Sequence, residues 1–111
     1  MNYEDWDGLT PLHCAAQSGR TETVNFLIDK GGDANRPTRA TGSLQNHHLR
    51  NDFEKATPLH FAAQNGHNDT VKVLLQKGAK VDSVTSKSVT SLMLASEKGH
   101  VGIVQLLLSE G

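Results

Sequence analysis

Three copies of one short pattern constrain this chain more than any other feature of it. Aligned, they read Thr10-Pro11-Leu12-His13 with Ala15-Ala16, Thr57-Pro58-Leu59-His60 with Ala62-Ala63, and a weaker Thr90-Ser91-Leu92-Met93 with Ala95-Ser96. The opening Thr (10, 57, 90), a mid-unit Gly (19, 66, 99) and a closing Gly (31, 78, 111) all advance by 47 residues and then by 33. A spacing shared by three separate landmarks marks a repeat, in which each unit buries its apolar surface on its neighbours rather than around a common centre. At 111 residues the chain holds three such units, about the minimum for a stable stack.

The residue types explain the pattern locally. Thr before Pro at the head of an apolar run supplies a hydroxyl N-cap followed by the residue best tolerated in the first helical turn. Leu12 with Ala15 and Ala16, and Leu59 with Ala62 and Ala63, then give one apolar face whose small members let a second helix lie close. Gly19, Gly66 and Gly99 end these helices in a left-handed reversal. Helical spacing resumes in Val24, Leu27, Ile28, in Val71, Leu74, Leu75 and in Val101, Val104, Leu107, Leu108, with Asn68 read as the N-cap of the second helix in unit two. Gly31 and Gly78 release the chain into a connecting hairpin.

A period of 33 carrying T-P-L-H-x-A resembles the ankyrin repeat, a β-turn plus two helices per unit. The resemblance covers nearly the whole chain and implies an all-α solenoid of helix-turn-helix units joined by β-hairpin loops. It divides the single domain into repeat 1 at about 5–37, an insertion at about 38–51, repeat 2 at about 52–84 and repeat 3 at about 85–111. It also implies that His13 and His60 are structural, bonded around the motif Thr and tying adjacent units, and that His67 and His100 open second helices. Cys14 stands where Phe61 and Leu94 stand in the other units and reads as a small buried apolar residue.

Composition narrows the functions. The formal net charge is −1, which draws the chain as a whole towards neither nucleic acid nor an anionic membrane. No apolar run approaches the length that spans a bilayer, the first five residues are acidic rather than basic, and one cysteine permits no internal disulfide. An intracellular protein, cytoplasmic or nuclear, is the expectation. There is no phosphate-cradling glycine loop, no G-x-S-x-G elbow and no metal-ligand helix pair, so neither enzyme, cofactor nor metal is expected.

The family's common use is to bind other proteins along the concave face with hairpin tips and first-helix faces. Carried onto this sequence, the hairpin positions are Trp6, Asp7, Leu9, then Phe53, Glu54, Ala56, then Ser86, Lys87, Val89. The first-helix pairs are Gln17-Ser18, Gln64-Asn65 and Glu97-Lys98. Trp6 and Phe53 share one position in successive units and Asp7 and Glu54 accompany them, a surface suited to a basic peptide with an apolar anchor. The alternative is that both aromatics fold back and stiffen the hairpins.

Fourteen extra residues fall between Gly31 and Thr57, because the landmarks on both sides keep register. They contain Arg39, His47, His48 and Arg50 and no acidic residue. A tolerated surface insertion and a basic recognition finger both account for them. A zinc site on the histidine pair lacks a third and fourth ligand within the insertion. Leu27, Asp33 and Asn35 resemble the pattern by which an asparaginyl hydroxylase recognises ankyrin repeats, which makes Asn35 a candidate modification site. Neither terminal unit carries a polar cap, so a spacer within a longer array, or self-association through the third unit, is a further expectation.

Overall fold

The computed structural model describes residues 9–38 and 55–110. Among the described residues six helices follow in chain order: α1 Pro11–Gln17, α2 Thr21–Asp29, α3 Pro58–Gln64, α4 Asn68–Gln76, α5 Ser91–Lys98 and α6 Val101–Glu110. Each odd helix packs on the even helix that follows it, α1 on α3 on α5 form one layer, and α2 on α4 on α6 form the other. The described residues thus form an all-α stack of three helix pairs.

Each odd helix begins as the motif requires. Thr10, Thr57 and Thr90 are extended N-caps, with φ of −97°, −92° and −98°, and Pro11 and Pro58 fill the first turn where a missing N–H costs nothing. The reversal after each odd helix puts Gly19, Gly66 and Gly99 at φ 72°, 79° and 76°, a left-handed backbone that only glycine adopts freely. One register differs from the sequence reading. The N-cap of α4 is His67, and Asn68 is already helical, because the chain leaves the left-handed Gly66 through a single residue before the helix closes on the His67 carbonyl.

Between the layers lies an apolar seam that includes Leu12, Val24, Leu59, Leu74, Ile103 and Leu107, with Ala16, Ala62, Ala63 and Ala95 fully buried where helices approach. Burying side chains of this size contributes about 1.5–3 kcal/mol each, which lets helices of seven to ten residues persist that would be marginal alone.

The two connections share one base. Thr85 donates its N–H to the Val89 carbonyl at 3.0 Å, and Val89 returns its own N–H to Thr85 Oγ1 at 3.3 Å. Thr38 and Ala56 repeat both bonds at 2.8 and 3.0 Å. Even the residue before each closing position matches, Lys55 at φ 60° and Ser88 at φ 62°. The second connection carries one antiparallel bridge, Val84 with Thr90, rather than paired strands.

Candidate functional site

The stack that presents any binding surface is set by its histidines. In α1 the Thr10 backbone N–H points at His13 Nδ1 at 3.0 Å, and in α3 the Thr57 N–H points at His60 Nδ1 at 3.0 Å. A backbone N–H only donates, so Nδ1 is the acceptor and the ring proton sits on Nε2. From there His13 donates to the Arg36 carbonyl at 2.7 Å and His60 to the Val89 carbonyl at 3.0 Å, each in the chain leading to the next unit. Both rings are fully buried, and Phe61 of unit two meets His13 edge-on at 5.8 Å. Burial pushes the His60 pKa below the ordinary 6.5, against the opposing pull of the Val89 and Ser83 carbonyls.

A second pair of histidines clamps the other end of the first helices. His67 Nε2 donates to the Gln17 carbonyl at 2.9 Å and His100 Nε2 to the Gln64 carbonyl at 3.0 Å. Asn65 adds its side-chain amide to the same Gln17 carbonyl at 2.9 Å. These bonds satisfy carbonyls that a helix C-terminus leaves open.

The residues expected to face a partner therefore divide. Gln17, Ser18, Glu97 and Lys98 are exposed at the C-terminal ends of α1 and α5, with α3 packed between. Gln64 is only half exposed, its Oε1 buried without a hydrogen-bond partner, and Asn65, though exposed, spends its amide on unit one. Lys87 is exposed at the tip of the second connection, and Leu9 is half-buried. Ala56 is a correction: it is fully buried, held by its two bonds to Thr38, and offers nothing to a partner. Trp6, Asp7, Phe53, Glu54, Arg39, His47, His48 and Arg50 lie outside the described residues.

Cys14 is a second correction. It is exposed, whereas Phe61 and Leu94 at the same position are buried. That position faces the preceding unit, and unit one has no helix pair before it among the described residues. Asn35 is no free asparagine: its amide donates to the Gly78 carbonyl at 3.0 Å and its Oδ1 accepts the Lys80 N–H at 2.8 Å, stapling the exit of unit one to that of unit two.

Compared with known families, residues 7–39 match the family described as ankyrin repeat, and residues 40–111 match the family described as ankyrin repeats (3 copies). The chain belongs to the ankyrin-repeat family. Ankyrin repeats are generally protein–protein interaction modules and typically non-enzymatic. Among the described residues of this ankyrin stack, no cluster of three His, Cys, Asp or Glu side chains is placed to hold a metal ion, and no helix is long and apolar enough to cross a membrane.

Sequence reasoning had identified the histidines from the motif. It missed the Thr21–Thr70 hydroxyl contact at 2.9 Å and the Lys77–Asp29 ion pair at 2.8 Å, both between units. No periodicity signals them, since one member of each pair changes between units one and two, Thr21 to Asn68 and Asp29 to Gln76, although Thr70 and Lys77 recur as Thr23 and Lys30.

Proposed function

We propose that this chain is an intracellular, non-enzymatic recognition module that binds a partner protein across the C-terminal ends of its first helices and its connecting tips. What supports the reading is the contrast within one row. The backbone carbonyls of Gln17 and Gln64 are taken by histidines of the next unit, while the side chains of Gln17, Ser18, Glu97 and Lys98 remain exposed beside them. Stacking thus fixes the spacing of the row, taking up the amide of Asn65 but leaving the side chains of Gln17, Glu97 and Lys98 exposed, the arrangement a preorganised interface needs.

A basic segment with an apolar anchor is the partner the sequence favours, with Trp6 and Phe53 as anchors and Asp7 and Glu54 as their acidic neighbours. Affinity capture from cell lysate with the wild-type chain beside a Trp6→Ala/Phe53→Ala variant and a Gln17→Ala/Glu97→Ala variant tests this. A protein retained by the first and lost by either variant, with unchanged circular dichroism, is the expected result. Identical capture by all three removes this surface as the site and leaves a spacer within a longer array.

A further inference from the structure

Each face that a unit buries on its neighbour occurs in this chain both covered and open. Positions facing the preceding unit are buried in unit two, as Pro58, Phe61 and Thr70, and in unit three, as Ser91, Leu94 and Ile103. Their equivalents in unit one, Pro11, Cys14 and Thr23, are exposed. Positions facing the following unit show the reverse. His13, Ala16 and Val24 are buried in unit one and His60, Ala63 and Val71 in unit two, whereas Met93 and Ser96 of unit three are exposed and Val104 is half-buried.

The open face of unit three retains the features that receive a neighbour elsewhere. His67 lies so close over Gly19 that a Cβ there would meet its ring at 2.5 Å, and His100 covers Gly66 at 2.8 Å. Gly99 has the same left-handed backbone, yet nothing lies within 4 Å of where its Cβ would be. Of the five large exposed apolar side chains among the described residues, three belong to this unit: Met93 at 53%, Val101 at 65% and Leu108 at 60%.

We propose that the open face of unit three receives the open face of unit one from a second copy of this chain, head to tail. The contact continues the interface that joins unit one to two and unit two to three, using the same positions on both sides. Charge supports the choice. Where His67 and His100 stand, unit one carries Arg20, exposed and with the N-cap backbone of His67 (φ −84° and ψ 79° against −92° and 84°). Its guanidinium falls on the Gly99 shelf beside Glu97, whose carbonyl is the counterpart of the Gln17 and Gln64 carbonyls. There it meets a carboxylate as well, and a planar, multi-donor cation suits that pair better than an imidazole. Cys14 takes the place of Phe61 against the following-face residue, here Met93, a contact between two soft apolar sulfur side chains. Such a heterologous contact does not close on itself as a two-fold dimer does, so the assembly grows with concentration.

Sedimentation velocity on the whole chain, up to about 1 mM, where even a contact of about 4 kcal/mol shows, tests the proposal. The mass is expected to rise with concentration past that of a dimer. Met93→Lys/Leu108→Lys blocks one face and Cys14→Lys/Thr23→Lys the other, all at exposed positions that spare the fold, as thermal melts verify. Each variant alone should be monomeric, with association weakened about a hundredfold or more by a charge forced into an apolar contact. Mixed, they should form a 1:1 dimer and nothing larger, because each supplies the face the other lacks. A wild-type chain that stays monomeric overturns the proposal, as does a Cys14→Lys/Thr23→Lys variant that still dimerises, the sign of two unit-three faces pairing. Charge reversal serves as the second arm. Arg20→Glu or Glu97→Arg should each weaken association roughly fivefold, the worth of an exposed ion pair, and the two together should restore it. Association indifferent to Arg20→Glu rejects this register.

Discussion

Units two and three start from nearly the same backbone and use it differently. Thr57 and Thr90 have φ, ψ of −92°, 167° and −98°, 163°, and each caps a helix. In unit two the third helical residue is His60, fully buried, bonded back to Thr57 and forward to Val89. In unit three it is Met93, 53% exposed, whose sulfur takes the Thr90 N–H at 3.5 Å and, as a thioether, has no proton to donate forward as His60 Nε2 does. The backward half of the bond survives the change of residue and the forward half does not. The histidine is therefore needed where a unit must hold the next one, and the helix start alone does not require it.

Alanine at the two positions gives the largest expected contrast. His60→Ala empties a buried ring site and leaves the Val89 carbonyl and the Thr57 N–H without their partner, a loss of about 3 kcal/mol. Met93→Ala, at an exposed site, should cost no more than about 0.5 kcal/mol. Urea unfolding of both variants checks this. Equal losses would mean that the motif acts only within its own helix.

Acid sharpens the same comparison. His60 is neutral in the folded chain because its pKa is depressed below 6.5, the value it regains on unfolding. Below about pH 6.5 the unfolded chain takes up the proton that the folded chain resists, so stability falls as the pH is lowered until the folded pKa is passed. Above pH 6.5 this contribution is flat. The slope of unfolding free energy against pH, measured from pH 8 to 5, should be shallower in His60→Gln than in the wild type and unchanged in Met93→Ala. A wild-type slope that survives His60→Gln would assign the acid sensitivity to another group.

Much of this stack was legible in the sequence because its signals are local or repeated. Thr N-caps, Pro in the first turn and the reversal glycines each act within a few residues, and the 33-residue period places the histidines whose structural role the fold then displays. What escaped depends on the neighbour. Cys14 shares a column with Phe61 and Leu94, and a column predicts burial only if a unit stands on that side. Ala56 looked like a hairpin tip but forms the base of a connection. Asn65 looked like free surface, yet its amide crosses to the Gln17 carbonyl, a bond between residues 48 apart that neither helix spacing nor turn chemistry announces. Of the candidate contact row, exposure at Gln17, Ser18, Glu97 and Lys98 is what the ankyrin resemblance implies for these positions, and the inward turn of Gln64 Oε1 at the same position is not.

The routes into the two units offer a smaller contrast. Seventeen residues separate Thr38 from Ala56 and three separate Thr85 from Val89, although the same two hydrogen bonds close both connections. Loop-closure entropy grows with the logarithm of length, so the long connection costs about 1.5 kcal/mol more than the short one. Deleting residues 39–52 leaves Phe53, Glu54 and Lys55 in register with Ser86, Lys87 and Ser88. If the insertion contributes nothing to folding, the shortened chain should gain about that amount in urea unfolding. A loss instead would show that the inserted residues contribute contacts worth more than their closure entropy.

The smallest effect expected lies in the second layer of helices. Lys77 reaches Asp29 across the junction of units one and two at 2.8 Å, while the same positions across the next junction hold Gln76 and Glu110, which cannot form an ion pair. The side chains of Lys77 and Asp29 are 32% and 54% exposed, so solvent screens the attraction and ordering two side chains offsets much of it. Asp29→Asn should cost between about 0.2 and 1 kcal/mol, and less in high salt. Glu110→Lys is not its mirror, because Gln76 supplies no charge to answer it; only Gln76→Asp with Glu110→Lys rebuilds the pair. If that double substitution stabilises the second junction by as much as Asp29→Asn weakens the first, the two junctions differ here in side chain alone. If it does nothing, α4 and α6 lie at a different offset from α2 and α4, and the repeat is less regular in the layer of α2, α4 and α6 than in the layer of α1, α3 and α5.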